Sequence, residues 1–122
     1  MLDYTITRTD NPTSAEELSE ILANPGFGKH FTDHMVTIDW TEEKGWHDAQ
    51  VRPYGPMTME PASNVFHYGQ AIFEGIKAYR QPDDSIATFR PDHNAQRFIN
   101  SAERLAMPKL PKEEFIESLR QL

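Results

Sequence analysis

The chain has 122 residues, enough for one domain core, with 12 basic and 19 acidic side chains, a formal charge of −7 and no cysteine. That balance opposes binding to nucleic acid and to anionic membrane surfaces, and the missing thiols exclude disulfides, thiolate metal sites and a cysteine nucleophile. No window approaches the roughly 18 to 20 apolar residues of a membrane span, and Met1-Leu2-Asp3-Tyr4 lacks the regions of a signal peptide, so a cytoplasmic protein is expected.

Residues 1–14 are polar and read as an arm, ordered or loose, outside the core of a domain over 15–122. Ser14 caps a short helix over Ala15 to Leu22, with Glu17 completing a capping box, and Asn24, Pro25 and Gly26 end it. Alternation from Thr32 to Trp40 predicts a half-buried strand. A turn at Glu42-Glu43-Lys44-Gly45 returns it as a second strand over Trp46 to Tyr54.

After a Pro- and Gly-rich stretch, Ser63 or Asn64 caps a helix expected over Val65 to Glu74 and stopped by Gly75. Ile76 to Arg80 and Ser85 to Phe89 flank Gln81-Pro82-Asp83-Asp84 as strand, turn and strand. Pro91 opens the next helix. Its stripe of Ala95, Phe98, Ile99, Ala102, Leu105 and Ala106 is expected to pack on a sheet, and Pro108 and Pro111 end it. Lys112 to Leu122 begins another helix with Phe115, Ile116 and Leu119 on one side. It carries no stop signal, which reads as a cut rather than a natural end.

No single residue type declares a chemistry. His30 and His34 are four apart, but the segment reads as the entry to a strand, whereas metal pairs at that spacing need a helix; no metal site is expected. No nucleophile elbow, phosphate-binding Gly loop or dinucleotide fingerprint is present. A Schiff base to an aldehyde cofactor needs a desolvated lysine. Of the lysines at 29, 44, 77, 109 and 112, Lys77 is the most tempting, yet its alternation suits a solvated face. Arg97 and Arg104 lie nearly opposite the apolar stripe, which fits surface charges or a cleft gripping a phosphate. Phe27 and Phe73 stand beside glycine-containing bends, where a ring can project toward a cleft.

Taken together, FGKHFTDHMVTIDW (Phe27 to Trp40), HYGQAIFEGIKAYR (His67 to Arg80) and FRPDHNAQRFINSAERLAMP (Phe89 to Pro108) resemble the amino-terminal part of branched-chain amino acid aminotransferases. The resemblance implies an α/β (α+β) fold: the small amino-terminal domain of a fold type IV pyridoxal 5'-phosphate (PLP) enzyme, mostly antiparallel sheet with helices on one side. It implies transfer of nitrogen from leucine, isoleucine or valine to 2-oxoglutarate in a homodimer. Residue by residue, Arg97 matches the arginine on the cofactor phosphate. Tyr68 matches a tyrosine at the substrate, and Phe27 and Phe73 match walls of the side-chain pocket. The cofactor lysine and the carboxylate that pairs with the pyridine nitrogen match nothing in these 122 residues, so no catalytic residue is expected in this chain. D-amino acid aminotransferases and aminodeoxychorismate lyases share the fold group, but FGKHFTDHM resembles the branched-chain enzymes. A noncatalytic ligand or interaction domain on the same fold is the alternative of another class.

Overall fold

A computed structural model describes residues 1–122, which form five strands and four helices. By their contacts they divide into two units, Leu2–Met57 with Gln121–Leu122, and Met1 with Thr58–Arg120.

The first unit is built on a three-stranded sheet. Strands β2 (His34–Thr41) and β3 (Gly45–Pro53) form the expected hairpin, closed by the turn that ends at Gly45. Gly45 has φ +69°, a conformation that glycine adopts without steric cost. Between Thr37 and Asp39 the register slips, because two residues of β3, Asp48 and Ala49, face the single Ile38. Asp48 takes a left-handed φ of 49° at this bulge, leaving Ala49 and Val51 buried.

Residues 1–14 prove to be an ordered arm. Within it β1 (Thr5–Ile6) adds to β3 in parallel, pairing Ile6 with Val51, which is 1% exposed and the largest fully buried side chain. The sheet is therefore mixed, in the order β1-β3-β2. Two polar clamps hold the rest of the arm. The Thr9 N–H donates to His34 Nε2 at 3.0 Å, which gives that histidine a structural task. Thr13 donates its N–H to Asp33 Oδ2 at 3.0 Å and its hydroxyl to Asp33 Oδ1 at 2.5 Å. Helix α1 (Ala15–Ala23) follows at once, its Ser14 hydroxyl accepting from the Glu17 N–H at 3.1 Å.

The Thr13 hydroxyl, followed by the Thr13 N–H, holds the Asp33 carboxyl below the usual aspartate range. A lowered carboxyl stabilises the arm above the unfolded value, about 3.9, and that contribution is lost as pH falls through the folded value. On acidification the Thr13 amide resonance is expected to move toward its random-coil position, and an Asp33→Ala protein to start there. A Thr13 amide that ignores both changes contradicts the clamp.

The second unit holds α2 (Asn64–His67), the two-stranded antiparallel hairpin β4 (Ala78–Arg80) and β5 (Ile86–Thr88), α3 (Pro91–Arg104) and α4 (Lys112–Gln121). The helix expected over Val65 to Glu74 is only one turn long. It ends at Tyr68 because Gly69 takes φ +60°, while Gly75 has no such conformation. A tertiary contact then outweighs helix propensity. Gln70 accepts from Asn64 Nδ2 at 2.8 Å and donates to the Leu105 carbonyl at 2.9 Å, so the chain runs irregularly from Gly69 to Lys77 along α3.

Pro91 sits in the first turn of α3 as expected, after Arg90 at φ 49°. At the other end Ala106 takes φ 52°, with Met107 N–H donating to Ala102 O at 2.8 Å and Ala106 N–H to Glu103 O at 3.2 Å. This is a Schellman closure with alanine where glycine is usual. The stripe on α3 meets another helix rather than the β4–β5 hairpin. Phe98 lies against Phe115 of α4, ring centroids 5.4 Å apart, with Ala95, Ala102 and Leu110 buried, while every residue of β4 and β5 is exposed.

Candidate functional site

The first turns of α3 place Asn94 and Arg97 three residues apart, so both side chains leave one face of the helix. Opposite them runs the irregular segment 69–77, which carries Phe73 and Glu74. The Glu74 side chain, only 5% exposed, takes both groups. Arg97 Nε donates to Oε1, Arg97 Nη2 donates to Oε2 at 3.0 Å, and Asn94 Nδ2 donates to Oε2 at 2.7 Å. Asn94 Nδ2 also reaches the Gly75 carbonyl at 3.3 Å, so helix and segment are tied through side chain and backbone.

The pair polarises both partners. The Arg97 hydrogen bond, then that of Asn94, outweighs desolvation and holds the Glu74 carboxyl below the usual glutamate range. Glu74 in turn raises Arg97. Glu74 is therefore ionised at neutral pH, and the stabilisation it gives is present above the ordinary carboxylate range and lost as pH falls through its lowered value.

Beyond Glu74 opens a cavity of about 540 Å³, lined among others by Phe73, Arg97, Asn100, Ser101, Arg104 and Leu105. Its polar side is a donor set of two guanidiniums, a side-chain amide and a hydroxyl, which suits an oxyanion such as a phosphate monoester. Its apolar side combines Phe73, 83% exposed, with Ala71, Ile72 and Leu105. Of the residues expected at a site, the structure thus brings together Arg97 and Phe73. Tyr68 is 82% exposed in the same unit but does not line this cavity, and Phe27 belongs to the other unit, its ring 99% exposed. Lys77 is exposed outside any strand, in keeping with a solvated side chain.

Glu74 and Asn94 escaped the sequence reading, which treated Glu74 as the end of a helix. The three-residue spacing of Asn94 and Arg97 puts two donors on one helix face. Their shared acceptor, Glu74, lies twenty residues upstream of Asn94, and only the folded chain identifies it.

No family model matches the chain. It is 59% identical to a branched-chain-amino-acid aminotransferase of Mycolicibacterium smegmatis over 99% of its own length and 33% of that protein. It is 61% identical to a probable branched-chain-amino-acid aminotransferase of Streptomyces coelicolor over 88% of its length and 30% of the relative. With branched-chain-amino-acid transaminase 1 of Bacillus subtilis the identity is 52%, over 80% and 27%. The chain thus spans about a third of the length of the curated relatives it matches.

Proposed function

We propose that this chain is the amino-terminal part of a PLP-dependent branched-chain-amino-acid aminotransferase, supplying a phosphate clamp and part of the substrate pocket. The observation that carries this reading is identity of 59% running through 99% of the chain to an aminotransferase of that name. The cavity beside α3 supports it, since Arg97 offers an anion a guanidinium already held on one edge and Phe73 supplies an apolar wall next to it.

When bound, PLP supplies the electron sink that lets an amino acid lose its α-proton and pass its nitrogen on. The part of this chain is to bind and orient. Arg97 takes the phosphate, whose two negative charges favour a bidentate guanidinium. Of the rings that the resemblance assigns to the substrate, Phe73 lines the cavity, where apolar contact rewards a branched aliphatic side chain by about 0.8 kcal/mol per buried methylene and penalises a charged one. Rings as exposed as Phe27, Tyr68, Phe73 and Phe89 need cover. In this reading the remainder of a longer protein and a second subunit of a cytoplasmic homodimer provide it. No helix is long and apolar enough to cross a membrane.

The donor amino acid tests the reading. The full-length protein is expected to form glutamate from 2-oxoglutarate with leucine, isoleucine or valine, and at least tenfold more slowly with D-alanine. Preference for D-alanine, or release of pyruvate from aminodeoxychorismate, assigns the chain to a neighbouring activity of the same fold group.

A further inference from the structure

We propose that Glu74 is a positioning residue for cofactor binding: its carboxylate engages one edge of the Arg97 guanidinium and thereby turns the other edge toward the phosphate. The inference rests on the cofactor reading above and names a residue that the resemblance does not. Arginine is long and rich in rotamers, and this one is 64% exposed, so nothing in its own packing fixes where its donors point. Glu74 does fix them. The contacts at Nε and Nη2 form a side-on pair, and they leave Nη1 and the outer hydrogen of Nη2 as an end-on fork that matches two oxygens of a phosphate.

The carboxylate is itself held. Asn94 donates to Oε2 from the same helix face, and the 5% exposure of the Glu74 side chain leaves little room for another pose. Replacing Glu74 by glutamine breaks the arrangement chemically while keeping its size. An amide has one acceptor oxygen for two donor residues, and its NH2 group faces their N–H groups. Arg97 then loses one anchor and samples poses in which its fork misses the phosphate.

The rival explanation is that Glu74 only staples segment 69–77 to α3. The two are separated in the full-length protein by titrating PLP, and separately pyridoxal, which lacks the phosphate, into the apo form of wild type, Glu74→Gln, Arg97→Ala and the double variant. Glu74→Gln is expected to weaken PLP about tenfold and leave pyridoxal unchanged, and the double variant to bind PLP no more weakly than Arg97→Ala. Equal losses for PLP and pyridoxal, or a Glu74→Gln loss that persists in the Arg97→Ala background, overturn the inference alone. Arg97→Ala with wild-type PLP affinity sinks the cofactor reading and the inference with it. Should Glu74→Gln fail to fold, Glu74→Asp carries the same comparison, because withdrawing the carboxylate by one methylene breaks the side-on pair without removing the charge.

Discussion

Given PLP, leucine and 2-oxoglutarate, the 122-residue chain by itself is expected to form no glutamate above the enzyme-free blank. The loss is complete rather than partial because transamination through PLP needs a lysine amine that is desolvated and held at the cofactor. Lys29, Lys44, Lys77, Lys109 and Lys112 are all exposed, and none lines the cavity beside Arg97. The curated relatives are about three times as long, which leaves ample chain for the missing groups. Glutamate that appears with leucine and disappears without it would mean that one of these five lysines serves as the amine, and the assignment of roles would have to be redrawn.

Arg97→Ala in the full-length protein is expected to weaken PLP binding on the order of ten- to a hundredfold. Removing one partner of a charge-assisted, two-pronged phosphate contact forfeits the contact and leaves the anion with fewer donors. The substitution also strands the Glu74 carboxylate in a largely buried position with Asn94 as its remaining side-chain donor. Arg97→Lys should fall between, since an ammonium keeps the charge but cannot serve Glu74 and a phosphate with two parallel forks. Equilibrium titration of the apo form, followed by cofactor absorbance, measures all three proteins. Equal affinities across the set contradict the clamp.

Much of this molecule was legible in its sequence where local rules govern. Ser14 and Glu17 mark the start of α1, the Met35–Trp40 alternation marks β2, and Pro91 marks the start of α3. Each depends on neighbours a few residues away. Legibility failed where distant residues decide. Gly75 was expected to stop α2, but the helix stops at Gly69, where the neighbouring Gln70 reaches Leu105, thirty-five residues on. The 1–14 segment is polar as a whole, its short Leu2-Tyr4-Ile6 alternation is too brief to stand out, and its order comes from pairing of β1 with β3 and from Asp33 and His34.

The site divides in the same way. Arg97 was singled out because its segment resembles a known phosphate-binding one, while helical periodicity fits a surface charge and a cleft residue equally. Seen in three dimensions its side chain is largely exposed yet grips Glu74 at the rim of a cavity. Glu74 carried no mark of its own. An acid between an aromatic residue and a glycine reads as a helix end, and only the approach of α3 gives it two donors to satisfy.

If the Arg97 guanidinium holds the cofactor through its phosphate, the ratio of PLP to pyridoxal affinity is large in wild type and shrinks about ten- to a hundredfold in Arg97→Ala, with pyridoxal affinity unchanged. An equal preference for PLP in both proteins would mean that the guanidinium does not hold the phosphate.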